Sequence, residues 1–417
     1  MAVFDGGRAS RPRPVRAAVL ILIAFAAAAA TAALATIGWP ARDYLQGDFF
    51  QYWSGSHALL AGSDPYDPSW GARFSAASGS HALLAYPEPA AGPKWTTAYP
   101  LWTLIAFIPF ALLPFTVASA AWLVAQILAV AVALAALVRT VLRAAPRRDG
   151  VILVGVALAF QPLWLLPGNG NVTGFVFAAL ALALALEARP LLSGGLLGTL
   201  AFKPQSVVAA AVAIVIAAVP RARARLMIGA SAVAAVLGVV SYLVRPGWFA
   251  DWIRSVSALQ SSTGSNATLW TLGRATGLPA LSIVAPAGAL MLLVVWARLR
   301  RPPALLLVAA AIPVSIGLSP HGWTYDQLHL LITVAIGIEI LSDMPDGART
   351  GGVVALAVVA VALPWTLYAY DLAHDSEDWS ALVPMFVLAW LLAVDRWHST
   401  MPTFATRARY RPASPGA

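Results

Sequence analysis

Cysteine is absent from the 417-residue chain, which excludes a disulfide framework, a thiolate metal site and a cysteine nucleophile. Charge is scarce as well: Asp, Glu, Lys and Arg make up 11% of residues, against about 25% in ordinary soluble domains. There is no HExxH pair, no glycine-rich loop ending in GK[ST], no DxD pair and no repeat of 20 to 50 residues. What remains is apolar. Hydrophobic residues reach 60% and the mean hydropathy is +0.76, the composition of an integral membrane protein. The net charge of +9 is then expected to mark cytoplasmic loops rather than a nucleic-acid partner.

Crossing a hydrocarbon core of about 30 Å takes around 20 apolar residues in a helix. Runs of that order lie near 15–37, 117–140, 150–166, 171–188, 226–244, 280–298, 303–319, 326–342, 351–370 and 381–395. Two stretches are awkward. Residues 99–115 hold Pro100, Pro109 and Pro114 and are short, while 191–219 is long but interrupted at Lys203-Pro204. The concentration of Lys and Arg in short cytoplasmic loops arbitrates. With 99–115 along the outer interface and 191–219 a hairpin turning at Lys203-Pro204-Gln205, about 12 transmembrane helices result and both termini lie inside. The cytoplasmic side then collects 20 of the 27 basic residues and 7 of the 18 acidic ones.

The expectation is an all-α polytopic protein of the plasma (inner) membrane. It has a cytoplasmic tail 1–14, one transmembrane domain 15–395 and a cytoplasmic tail 396–417, with a first extracytoplasmic loop at 38–115 that carries interfacial helices. Residues 17–37 look like a secretory signal with a cleavage site at Ala33-Leu34-Ala35, but the apolar core is too long and reads as a retained anchor.

Polar residues in such a chain are few enough to weigh singly. Asp48 and Tyr52 are four apart, so a helix from about 48 to 60 puts them on one face. Gly62 suits the C-terminal cap of that helix, and Asp64-Pro65-Tyr66 a turn. Asp48 is either a functional acid just outside the first membrane helix or merely a cap. Lys203 is the only charge in its apolar stretch; it either meets a partner, such as a lipid phosphate, at the apex of a broken helix, or snorkels to the interface. Gly168-Asn169-Gly170-Asn171 is no dinucleotide fingerprint; its two amides could bind sugar hydroxyls or only form a turn. In the segment Ser319 to Asp326, His321 could donate to a phosphate or a sugar hydroxyl, with Asp326 orienting it. His57, His81 and His374 read as solvated, as does the acidic run His374 to Asp378.

Taken in order, these segments resemble the polyprenyl-phosphate-mannose-dependent mannosyltransferases of GT-C fold, glycosyltransferase family 87. The matching residues are Asp48-Phe49 to Tyr52, Gly62, Asp64-Pro65-Tyr66-Asp67-Pro68, Tyr99-Pro100, Gly168 to Asn171, Lys203-Pro204-Gln205, and Ser319-Pro320-His321 to Tyr325-Asp326. Leu101 stands where the family usually has a second proline, and Asn169 where it has glutamine. The resemblance implies transfer of a hexose, mannose by family, from a polyprenyl-phosphate donor to a lipid or glycan acceptor on the extracytoplasmic face. It also implies catalysis by Asp48 and substrate binding by Tyr52, Asp64, Tyr66, Tyr99, Asn169, Asn171, Lys203, Gln205, His321, Tyr325 and Asp326. Partners would be these substrates and membrane lipids. No obligatory cofactor is implied, and a divalent metal stays open. A transporter or lipid flippase competes, since broken helices and a buried lysine suit it equally; so does a ligase that moves a whole glycan.

Overall fold

The computed structural model describes residues 48–67, 97–262, 266–374 and 376–400. The expected anchor at 15–37, the N-terminal tail, residues 68–96 of the first loop and residues 401–417 of the C-terminal tail lie outside the described residues.

All regular structure in the described residues is helical. The elements are α1 (Asp48–Leu60), α2 (Leu101–Ala111), α3 (Phe115–Thr140), α4 (Arg147–Ala159), α5 (Gln161–Asn169), α6 (Thr173–Ala185), α7 (Pro190–Thr199), α8 (Val208–Ala217), α9 (Pro220–Val244) and α10 (Trp248–Ser262). They continue as α11 (Leu281–Arg300), α12 (Ala304–Leu318), α13 (Leu330–Ser342), α14 (Asp346–Ala357), α15 (Leu363–Ala373) and α16 (Val383–Thr400).

Six helices in the described residues are long and apolar enough to cross a membrane: Phe115–Thr140, Pro220–Val244, Leu281–Arg300, Thr324–Ser342, Asp346–Ala373 and Trp379–Thr400. The pair α4 and α5 makes a seventh if its bend of 51° is counted within one span. Pro162 explains the bend: it lacks an N–H, its ring clashes with the preceding turn, and Phe160 takes an extended ψ of 114°. Four of the twelve expected membrane helices, α6, α7, α8 and α12, are shorter apolar helices of 10 to 15 residues, and the one expected at 15–37 lies outside the described residues. The faces of α6 and α12 are largely buried in the bundle, so the irregular backbone at their ends is covered by protein rather than lipid.

The direction of these short helices places the site. Ser193 Oγ donates to the Ala183 carbonyl at 2.7 Å, pairing α6 and α7 as antiparallel neighbours. α7 and α9 run parallel and nearly touch: a Cβ on Gly194 would meet the Leu226 backbone, and one on Gly198 would meet the Ala230 carbonyl and Val233. Two parallel helices with one between them require the middle one to return. The chain therefore reverses at Lys203 to Gln205, and each 10-residue arm of the hairpin, about 15 Å long, reaches half-way through a bilayer core. Its tip lies at the same end of the bundle as the start of α6, the end of α12 and the start of α13.

The opposite end gathers the arginines. Arg349 pairs there with the buried Asp149, and Arg148 with Asp346 at 3.6 Å, tying the start of α4 to the start of α14. Over the near end lie α1 and α2, joined where Ser56 Oγ donates to the Leu104 carbonyl at 2.6 Å. α10 packs Trp248 against Trp102 at 5.0 Å and holds the run 97–100, because Trp252 Nε1 donates to the Ala98 carbonyl and Ser255 Oγ to the Thr97 carbonyl.

Candidate active site

α1 begins at Asp48 and stops where its sequence says it should: Gly62 takes a left-handed φ of 65°, and Ser63 N–H donates back to the Ala58 carbonyl. Asp64 then accepts from Tyr66 N–H at 2.9 Å, a turn closed by a side chain. An acid in the first helical turn is favoured by the helix dipole. Yet Asp48 is not spent as a cap, since its described bonds go to distant segments. Its Oδ2 accepts from Asn171 Nδ2 at 2.6 Å and from the Tyr325 hydroxyl at 2.8 Å. Asp48 is half-buried, whereas Asn171, Lys203, Thr173, Tyr325 and Asp326 are buried.

Asn171 reaches Asp48 because α5 ends on Gly170, with φ 63° and so close to α1 that a Cβ would stand 2.6 Å from that of Phe49. The Gly170 carbonyl accepts from Trp122 Nε1 at 2.7 Å, and the Asn171 carbonyl accepts from Gln126. The loop is thus clamped onto α3. The Asn171 amide nitrogen also faces the Tyr99 hydroxyl at 3.0 Å. Its amide oxygen accepts from Thr173 N–H at 3.0 Å and Lys203 Nζ at 3.1 Å, and stands 2.7 Å from Thr173 Oγ1, whose single hydrogen goes to Asp326.

Lys203, at the hairpin tip, forms a 2.5 Å ion pair with Asp326, lies 3.4 Å from Thr173 Oγ1 and stands 4.6 Å over the Tyr325 ring. Asp326 in turn accepts from Trp323 N–H at 3.1 Å and from Thr173 Oγ1 at 2.7 Å. A buried pair of this kind is costly to break from one side, by about 3–5 kcal/mol, because the survivor is an uncompensated charge. The three hydrogens of the ammonium are matched by Asp326, Asn171 and Thr173, so the lysine neither snorkels nor offers an unused donor to a lipid phosphate.

His321 does offer one. Trp323 Nε1–H donates to its Nε2 at 3.1 Å, which leaves the neutral ring's proton on Nδ1; that atom is buried and has no partner among the described residues. Burial, then the nearby Lys203 charge, lowers the His321 pKa, so the ring is a neutral donor. Tyr52 and Tyr99 are held well above the ordinary phenol value, chiefly by burial and next by Asp48, and remain hydroxyls. Tyr52 accepts from Val172 N–H at 3.4 Å, and its ring meets Tyr99 at 4.4 Å.

Other residues singled out from the sequence stand elsewhere. Asn169 bonds back to the Leu165 carbonyl of its own helix at 3.1 Å, since the left-handed Gly170 separates it from Asn171. Asp64 pairs with Arg245 at 2.7 Å, and Tyr66 donates to the Tyr99 carbonyl at 3.1 Å, so both brace the site from outside. Gln205 is half-buried at the hairpin tip and makes no hydrogen bond among the described residues. The acidic run after His374 is not a solvated loop. Glu377 accepts from Thr324 N–H and Oγ1 at 2.7 and 2.6 Å, and Asp378 pairs with Arg274 at 2.5 Å. Burial pushes the Glu377 carboxyl up to about 7. His57 is half-buried with its ring 4.5 Å from Trp53, and His81 lies outside the described residues. Thr173, Trp122 and Gln126 are not among the residues the sequence points to. A lone polar residue in an apolar span, as at Gln126, was the available signal. No group of three or more His, Asp or Glu that could hold a metal ion is found in the described residues.

A family model described as glycosyltransferase family 87 matches residues 95–320, just over half of the chain. No curated protein and no solved structure matches the chain.

Proposed function

The chain belongs to glycosyltransferase family 87, and from that premise we propose that it moves a hexose, mannose, from a polyprenyl-phosphate donor to a lipid or glycan acceptor, with Asp48 as general base. The observation that carries the reading is the state of the Asp48 carboxylate: half-buried rather than enclosed, with Oδ2 fixed by Asn171 and Tyr325 and the Tyr99 hydroxyl also bonded to the side chain. The acceptor hydroxyl attacks the anomeric carbon opposite the phosphate. As the new C–O bond forms, the bond to the phosphate oxygen breaks, the electron pair leaves with the polyprenyl phosphate, and the hydroxyl proton passes to Asp48. One displacement with one carboxylate base inverts the anomeric centre; a double displacement would need a nucleophile as well.

A phosphate is already a competent leaving group, so the protein has only to bind it and take the proton. The Nδ1–H of His321 is the donor suited to a phosphate oxygen. The arginine-poor end of the bundle, where Asp48 lies, is the extracytoplasmic side by the positive-inside rule, which supports a reaction outside the plasma membrane.

The test is incubation of the purified protein in vesicles with a labelled polyprenyl-phosphate hexose and a lipid acceptor extract. The reading expects free polyprenyl phosphate and a new labelled glycoside with inverted anomeric configuration. Label that changes leaflet without any bond broken would mark a flippase and overturn it.

A further inference from the structure

Asn171 can present its amide to Asp48 in only one way, and the reason lies on the far side of the amide. An ammonium has three donors and no acceptor, and a backbone N–H only donates. Lys203 Nζ at 3.1 Å and Thr173 N–H at 3.0 Å therefore both require the amide oxygen on their side. The NH2 group is left to face Asp48, 2.6 Å from Oδ2. Tyr325, whose ring lies under the ammonium at 4.6 Å, donates its hydroxyl to the same Oδ2 at 2.8 Å.

We propose that Lys203 and Asn171 are a positioning pair for Asp48: the lysine charge fixes and polarises the amide, the amide N–H engages Oδ2, and Oδ1 is left as the atom that takes the acceptor proton. This rests on the reading of Asp48 as the base. The cation thus acts on the reaction through two hydrogen bonds in series rather than on the donor phosphate. Holding an amide oxygen against a positive charge makes its N–H a stronger donor, and coupled bonds of this kind reinforce one another in a low-dielectric interior. Asp326 completes the device by holding Lys203 at 2.5 Å and accepting from Thr173 Oγ1.

Asn171→Asp is the informative substitution, because it keeps the shape and keeps an oxygen for Lys203 and Thr173 but turns the group facing Asp48 from a donor into a second carboxylate oxygen. The charged and titratable groups around Asp48 in the described residues are Tyr52, Tyr99, Tyr325, Lys203, Asp326 and His321. Tyr325 already donates to Oδ2 and the Tyr99 hydroxyl is already bonded to the Asp48 side chain, so neither is a spare donor for the place Asn171 vacates. Two carboxylates at hydrogen-bond distance cannot both ionise freely, so the acid limb of the kcat/KM profile is expected to move upward by about one pH unit or more. Lys203→Met combined with Asp326→Asn removes the ion pair without stranding a charge, which keeps the fold testable. It is expected to lose about tenfold or more in kcat while KM for a polyprenyl-phosphate hexose changes less than about threefold.

The proposal falls if Asn171→Asp leaves the acid limb in place, or if the double variant raises donor KM with kcat unchanged, the signature of a lysine that binds phosphate directly. Asp48→Asn is run beside them. Full turnover in that variant would overturn the base assignment itself, whereas an inactive Asp48→Asn with unmoved Asn171→Asp and double variants would overturn only the positioning pair.

Discussion

Replacing Asp48 by asparagine separates a base from a helix cap more sharply here than in most sites, because the surroundings dictate how the new amide sits. Two donors, Asn171 Nδ2 at 2.6 Å and the Tyr325 hydroxyl at 2.8 Å, converge on Oδ2 and demand an acceptor there. The amide of Asp48→Asn meets that demand with its carbonyl oxygen, so the local fold survives and no buried donor is stranded. Its NH2 group then occupies the place of Oδ1. Where the wild-type carboxylate would receive the acceptor proton, the variant presents two hydrogens of its own.

General-base catalysis contributes typically 10² to 10⁴ in rate, so kcat for Asp48→Asn is expected to fall by about that factor, equivalent to roughly 3–5 kcal/mol of transition-state stabilisation. The Nδ1–H of His321 is untouched, and KM for the donor should stay near its wild-type value. Asparagine is as good an N-cap as aspartate, so a purely structural Asp48 would leave both constants unchanged. The assay is initial-rate release of polyprenyl phosphate at saturating donor, with the melting temperature as a control. Turnover within a factor of about three of wild type, in a variant that melts normally, would refute the assignment of the base.

Three further outcomes follow from other parts of the molecule. Glu377 has a folded-state value of about 7, above the 4.5 of the free side chain, so its contribution to stability is complete below about 4.5 and is lost as pH rises through about 7; Glu377→Gln should therefore raise the melting temperature at pH 8, change little at pH 4.5 and flatten the curve between. Gly170→Ala puts a Cβ 2.6 Å from that of Phe49 at a φ of 63°, and thermal melting should show a loss of at least about 1–2 kcal/mol from the left-handed strain alone, with turnover reduced as α1 is pushed off the Asn171 loop. Asp64→Ala removes one partner of the partly exposed Arg245, which keeps Asp251 at 2.7 Å; a stability change of about 0.5–1 kcal/mol by denaturation is expected, and a larger one would mean the pair anchors the whole loop.

How much of this was legible in the chain depends on the distance over which each feature is encoded. α1 could be read to its ends because a cap residue, a left-handed glycine and an Asx turn are local chemistry: Asp48, Gly62 and Asp64 lie within one short segment. The reversal at Lys203 was readable because a charge followed by a proline inside an apolar run is hard to reconcile with a continuous helix in lipid. The depth that each apolar run reaches is not. Hydropathy counts apolar runs, but it does not say whether a helix of 13 residues such as α6 meets lipid or is wrapped by α3, α7 and the Thr324–His329 turn. The pairing of Asn171 with Asp48 crosses 123 positions and the pairing of Tyr325 with Asp48 crosses 277, and no periodicity in the chain records either.

Lys203, Asn169 and the acidic run share a physical lesson. Residue type and nearest neighbours do not fix the partner of a polar group in an apolar bundle, where it is defined by what must satisfy it. Asn169 and Asn171 are the same residue two positions apart. One finds its acceptor within its own helix, and the other, carried past a left-handed glycine, finds Lys203, Thr173 and Asp48. A lone charge in a membrane segment needs a partner, and among the described residues Lys203 finds it in Asp326, supplied 123 residues later. With the buried cation satisfied by the fully enclosed Asp326, the half-buried Asp48 is the less enclosed of the two carboxylates near the hairpin tip, which is the physical reason for proposing it as the base.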